Sequence, residues 1–385
     1  MARDPVLLIP GPVPIDPRVM EELTKAAAPH YGDEWLRRYN ETLEMLQRLF
    51  QVRNSEVYPL AGPGHLALEA IAFTLLRRGD KVAVVDNGFF GARCADVLRA
   101  HHLDVETVRA NWGEPPDLDE VERLVRRGVK CLAVIHNETS TGMTNPLKEI
   151  AKVATEHGAW VLVDAVSSIG GITLPCDAWG IDACFGASQK CLAAPPGIAP
   201  ITVSKRLLDE VDPATVDGWY VNLFTWNRIR KEWGDWHPQP TTISSNIMYA
   251  FHRALQLVHE EGLENRIRRH EIVGRAYREG LAGLGYSFFT KPEYASNTVS
   301  SAKPPKGVDA PDLIARLKKD HNIFIAGTLG PMRGQGIRIG HLGTQAAKSY
   351  LETMLTALAG YSKKAGVTGA EAAVDRAVQL AAKAG

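Results

Sequence analysis

The segment Phe185-Gly-Ala-Ser-Gln-Lys190-Cys-Leu-Ala-Ala-Pro-Pro-Gly197 lies downstream of the run Ala159-Trp-Val-Leu-Val-Asp164. The run is apolar up to its last residue, as a strand covered on both faces must be, so Asp164 stands at a carboxyl end. Lys190 comes 26 positions later, just beyond a second β-prone run, Ala183 to Gly186. A lysine beyond a buried strand can form a Schiff base with an aldehyde cofactor. A carboxylate at a neighbouring strand end can hold a pyridine nitrogen protonated. Taken alone, either residue reads as an ordinary solvated charge, so the surrounding pattern has to decide.

Working outward, β-prone runs at Ser55 to Leu60, Lys81 to Asp86, Asp104 to Val108, Cys131 to His136, Trp160 to Asp164, Ala183 to Gly186 and Ile198 to Val203 predict seven strands. Helical patterns at Leu66 to Arg77, Ala92 to His101, Asp119 to Arg127 and Pro146 to His157 separate several of them. That alternation predicts an α/β fold, a mostly parallel sheet with helices on its faces. In such sheets ligands bind beyond the carboxyl ends of the strands. Residues 217–240, with Trp219, Trp226, Trp233 and Trp236, read as a long irregular excursion, a packed surface loop or subunit contact, with direct substrate contact as the other reading. Helices then follow at Asn246 to Glu260 and Arg266 to Gly283, with short strands near Ser287 and Ile323 and an Ala-rich helix at the end, a smaller α+β unit.

Composition narrows the function. Lys plus Arg and Asp plus Glu both number 44, so no overall field favours nucleic acid or an anionic membrane, and the expected partner is a small molecule. Five cysteines, an odd count without a CxxC pair, predict reduced thiols and a cytoplasmic setting. No run approaches the roughly 20 apolar residues of a membrane span, and the first residues lack an apolar stretch of signal length.

The strand ends carry the chemistry. Ala61-Gly-Pro-Gly-His65 joins a strand to a helix, where backbone amides and the helix dipole can hold a phosphate. The same glycines, with Asp86 ending the next strand, also match a relaxed dinucleotide fingerprint, and a structural glycine turn is a third reading. Asn87-Gly-Phe-Phe-Gly91 brings Phe90, either a core residue or a ring to lie over an aromatic cofactor. His136-Asn-Glu-Thr-Ser-Thr-Gly142 sets polar side chains where a phenolic oxygen can be bonded, or forms a capping turn. A dinucleotide site employs the glycine loop and leaves the other strand ends idle. A pyridoxal phosphate site uses each of them.

With Ile9-Pro-Gly-Pro12, the Gly-x-Gly-His loop with Leu68-Glu-Ala70, Asn87-Gly-x-Phe-Gly91, Glu138-Thr-Ser-Thr-Gly142, Val163-Asp-Ala-Val-Ser167, Ser188-Gln-Lys190, Ala194-Pro-Pro-Gly197 and Arg338-Ile-Gly-His-Leu-Gly343, nearly the whole chain resembles the class V aminotransferases of fold type I, in particular the alanine-glyoxylate and serine-glyoxylate transaminases. The resemblance implies a large cofactor-binding domain over residues 17–260 and a small domain from 1–16 and 261–385. It implies pyridoxal 5'-phosphate with Gly64, His65 and Gln189 at the phosphate, Phe90 on the ring, Thr139 at the ring hydroxyl, Asp164 at the pyridine nitrogen and Lys190 as the Schiff-base lysine. Thr242 would reach the phosphate of the other subunit, which implies a homodimer with shared active sites. Arg338 would clamp the substrate carboxylate in bidentate fashion. No metal is implied. Two departures stand out: Gln239 where the family often has tyrosine, and Phe90 where tryptophan is common.

The expected reaction moves an amino group from a small amino acid of alanine or serine type to a keto acid such as glyoxylate or pyruvate, with ping-pong kinetics. A pyridoxamine-pyruvate transaminase is the nearest alternative, although Pro63 occupies the place of the acidic residue expected in its phosphate loop. A cysteine desulfurase lacks support because no cysteine follows Cys191, and a non-catalytic binding protein would have no use for Lys190, Asp164 and Arg338 together.

Overall fold

The computed structural model describes residues 4–384. Its main sheet has seven strands in the order Ser55–Ala61, Ile198–Ser204, Ala183–Phe185, Trp160–Asp164, Cys131–Ile135, Lys81–Asp86, Asp104–Arg109. Ile198–Ser204 runs antiparallel to both neighbours, and every other pairing is parallel. The central strands carry unbroken apolar runs because helices cover both faces: Val82 through Val85 and Val161 are wholly buried.

Register gathers the functional edge. Ile135 pairs with Asp164, and Asp164 with Phe185, so three strands end in one row. The antiparallel partner Ile198 faces Ala61. Both the glycine loop after Ala61 and the Ser188 to Gly197 loop before Ile198 therefore open at that same edge, and Gly62 N donates to the Gly197 carbonyl at 2.8 Å.

One apolar core runs from Val19 to Val258 around this sheet. A second joins Leu8 to residues 273–381, around an antiparallel sheet in the order Ser287–Phe288, Val299–Lys303, Ile337–Gly340, Ala326–Gly327. The strand Val6–Leu7 pairs in parallel with Ile323–Phe324, which places the start of the described chain beside the second core. Of the expected small domain, 1–16 plus 261–385, residues 1–3 and 385 lie outside the described residues.

The irregular reading of residues 217–240 is corrected by a helix over Leu223–Trp233. Asn222 caps it, its Oδ1 accepting from Phe224 N at 3.0 Å, and Leu223, Trp226 and Ile229 recur at helical spacing on the buried side. Only Trp226 among these tryptophans belongs to the core. Trp219, Trp233 and Trp236 are about half exposed, and they obscure the period. Helices at Pro17–Thr24 and Asp33–Phe50 and the strands Val299–Lys303 and Ile337–Gly340 also add to the expected elements. Among the described residues no helix is long and apolar enough to cross a membrane, and the five cysteines are free and buried.

Candidate active site

A cavity of about 190 Å³ opens at the carboxyl edge of the main sheet. Gly64, His65, Phe90, Thr139, Asp164, Gln189 and Lys190 all line it. On one side the helix Gly64–Leu75 starts at the wall with no side-chain cap. Its first amides are the kind of donors that hold an anion. Gly64 has to be small there, because a Cβ would meet Val166 Cγ2 at 2.9 Å.

Phe90 enters from the helix Phe89–Ala100, whose start is fixed by a buried acid. Glu138 accepts from Phe90 N and Gly91 N through one oxygen, each at 3.0 Å, and from Ser140 N at 3.1 Å and Ser140 Oγ at 2.5 Å through the other. Burial pushes its carboxyl up, while these four donors pull the other way. Two donors on each oxygen leave no place for an acid proton, so the bonding fits the ionised form.

Asp164 anchors one oxygen on Val166 N at 2.8 Å. Burial pushes its carboxyl up to about 7, with the Glu138 charge adding to the shift and the Val166 amide and Lys190 opposing it. Lys190 is pushed down to about 8, first by burial and then by the Arg338 charge. Its Nζ donates to the Pro10 carbonyl, and Gly11 leaves room for its side chain: a Cβ there would overlap it. The Ile9-Pro-Gly-Pro12 segment thus closes over the lysine.

Arg338 stands on the strand Ile337–Gly340, 8% exposed, with Nε donating to the Gly327 carbonyl at 2.8 Å and Nη1 3.5 Å from the Thr139 carbonyl. It borders the cavity without lining it. Thr242 is not part of the cavity of its own chain; it lies at the surface with Oγ1 3.2 Å from His30 Nε2. Gln239 is wholly buried and turned inward, accepting from Trp35 Nε1 at 3.0 Å and donating to the His30 carbonyl at 2.8 Å. His136 faces Trp179, and burial holds it down at about 3.

Two lining residues with hydrogen-bonding side chains, Asn137 and Ser167, had no role assigned from sequence. Asn137 Nδ2 donates to Ser167 Oγ at 2.8 Å, and Ser167 Oγ lies 3.0 Å from Thr139 Oγ1. Both sit inside stretches that the sequence marked, one before Glu138 and three after Asp164, but only the register of the two strands brings them together.

The site fits pyridoxal phosphate on its donor set. Uncapped amides suit a phosphate, an aromatic face suits a ring, a carboxyl beside an amine of lowered basicity suits a pyridine nitrogen and an aldehyde, and hydroxyls suit a phenol. Among the described residues no group of three or more His, Cys, Asp or Glu is placed to hold a metal.

Comparison with known proteins agrees with that chemistry. The family model "Aminotransferase class-V" matches residues 18–333. The (S)-ureidoglycine–glyoxylate transaminase of Bacillus subtilis is 31% identical over 92% of the chain and 89% of its own length. The alanine–glyoxylate aminotransferase structure from Nostoc sp. superposes with a TM-score of 0.86 at 31% identity, covering 93% of this chain and 95% of that one. The pyridoxamine-pyruvate aminotransferase structure from Mesorhizobium loti gives a TM-score of 0.88 at 26% identity, over 98% and 97%.

Proposed function

The chain belongs to the class V aminotransferase family and is a transaminase, and from that premise we propose that it moves the amino group of a small amino acid, of alanine or serine type, to a keto acid such as glyoxylate or pyruvate, with pyridoxal phosphate as cofactor. The observation that carries this is the pairing, in one cavity, of the partly buried Lys190 amine with the Asp164 carboxyl beside the uncapped helix start at Gly64.

When bound, pyridoxal phosphate supplies an electron sink that lowers the cost of removing a proton from the substrate Cα. The Gly64 and His65 amides would hold its phosphate with Gln189 beside them, and Phe90 would face the ring, since all four line the cavity. Asp164 would keep the pyridine nitrogen protonated, and a cation there would draw its carboxyl back to the ionised form. Lys190 Nζ would be the covalent anchor, and because it loses its proton near 8 it is available as an amine close to neutral pH and could carry the α-proton. Arg338, fixed through Nε, would offer its other nitrogens to the substrate carboxylate and so orient the Cα–H bond.

Thr242, exposed and outside its own cavity, supports a homodimer in which it serves the partner's phosphate. Free, buried cysteines support a reducing, cytoplasmic compartment. The test is a steady-state assay with alanine or serine and glyoxylate. Glycine and the matching keto acid are expected in equal amounts with parallel double-reciprocal lines, and none with Lys190→Ala. Turnover by Lys190→Ala would refute the assignment. The likeness to the Mesorhizobium loti enzyme supports a second reading, free pyridoxamine as amino donor, which the same assay separates by substituting it for alanine.

A further inference from the structure

Asn137, Thr139 and Ser167 form one hydrogen-bonded chain in the cavity wall, and its protons can be placed by counting. Asn137 Nδ2 donates one hydrogen to Ser167 Oγ at 2.8 Å and the other to Thr298 Oγ1 at 3.0 Å, while Thr144 Oγ1 donates to Asn137 Oδ1 at 3.2 Å. Thr298 in turn donates to the Ser167 carbonyl at 2.9 Å. These contacts fix the amide, so Ser167 Oγ accepts from Asn137 and keeps one hydrogen to give.

Two acceptors compete for that hydrogen at the same 3.0 Å, the Asn137 carbonyl and Thr139 Oγ1. When the carbonyl takes it, Thr139 donates to Ser167 and offers only lone pairs to the cavity. When Thr139 takes it, the Thr139 hydrogen turns into the cavity. The other acceptor near Thr139, the Asn137 carbonyl at 3.5 Å, is too distant to hold that hydrogen well. The two hydroxyls therefore act as a reversible donor or acceptor.

We propose that Ser167 is a positioning residue which, through Thr139, offers a bound phenolic oxygen either a donor for its ionised form or an acceptor for its protonated form, and so sets that oxygen's proton affinity. This rests on the pyridoxal phosphate reading of the site. Removing the Ser167 hydroxyl deletes the nearest acceptor of Thr139. Thr139 then becomes a fixed donor, and the bound oxygen gives up its proton more readily.

The experiment is an absorbance pH titration of protein loaded with pyridoxal phosphate, with no amino acid present. In Ser167→Ala the midpoint at which the visible and near-ultraviolet bands interconvert falls by about half a pH unit or more, the order of one neutral hydrogen bond. On a Thr139→Val background the same substitution leaves the midpoint in place, because Ser167 acts through Thr139. Ser167→Cys, which keeps the side-chain shape with a weaker acceptor, falls between and serves if the alanine variant does not fold. A loaded protein with an unmoved midpoint, or a Ser167→Ala shift of equal size on both backgrounds, overturns the positioning role. A parent protein that takes up no chromophore overturns the cofactor reading, and this inference with it.

Discussion

Asp164 shows how a residue proposed to bind the cofactor opposes the fold that carries it. Its carboxyl is raised to about 7 from 3.8, so the folded state holds that proton more tightly than the unfolded chain does. The stabilisation is complete below 3.8 and is lost as pH rises through about 7, leaving a buried charge above it. Asp164→Asn keeps an oxygen for Val166 N and removes the charge. Without cofactor it is therefore expected to be more stable at pH 8, by roughly 1–3 kcal/mol in denaturant titration, while its affinity for pyridoxal phosphate falls; a less stable variant contradicts this. Lys190 gives a second pH prediction. With its proton lost near 8 rather than 10.5, the rate of covalent capture of pyridoxal phosphate by the apo protein rises with pH and levels off above about 8. A rate still climbing steeply at pH 10 would mean an ordinary exposed lysine. These two residues were legible because each follows a readable strand. Asn137 and Ser167 were not, since their contact spans 30 positions and depends on register.

At the scale of elements, the central strands of the main sheet were readable because continuous apolar runs leave little alternative, while the edge strand Asp104–Arg109 was readable from its alternating β-prone residues. The strand Ile337–Gly340 was not, being four residues long and carrying Arg338 in its middle. The helix Leu223–Trp233 was hidden for a different reason, since three of the four tryptophans in and around it, Trp219, Trp233 and Trp236, are half exposed and only Trp226 faces in. Trp226→Ala is expected to cost about 3–5 kcal/mol in a denaturant melt, whereas Trp236→Ala, at half exposure, changes the stability of the isolated chain by less than about 0.5 kcal/mol. Equal losses would contradict the orientation of this helix. The turn at Gly343 has the left-handed φ of +55°, and a Cβ there would stand 3.0 Å from the Cys191 carbonyl oxygen and 3.2 Å from that of Lys190. Gly343→Ala is therefore expected to lose roughly 1–3 kcal/mol and to weaken cofactor capture together with stability, because this turn rests on the backbone of Lys190 and Cys191.

For the molecule as a whole, three buried histidines set the acid limit. Burial holds His136 and His341 down at about 3 and His270 well below 6.5. The unfolded chain protonates them near 6.5, so their contribution is complete above that pH and is lost as pH falls toward about 3. Asp164 acts in the opposite sense between 3.8 and 7, as do Asp86 and Glu138, whose carboxyls burial also raises, but burial lowers His65, His237, His252 and His259 as well, so the lowered histidines outnumber the raised carboxyls. The melting temperature of the apo protein should thus decline steadily below pH 6.5, and a flat profile down to pH 4 would contradict the buried, neutral assignment. The two cores and the cavity at the sheet edge turn this fold toward one reaction, and single-turnover spectra test it most directly. Protein loaded with pyridoxal phosphate is mixed with one amino acid at a time, and glyoxylate or pyruvate is added afterwards. The visible band is expected to disappear with alanine or serine, with one equivalent of keto acid released, and to return on adding glyoxylate, while Lys190→Ala does neither. A band that persists with every amino acid, or that bleaches without releasing a keto acid, would contradict amino-group transfer at this site.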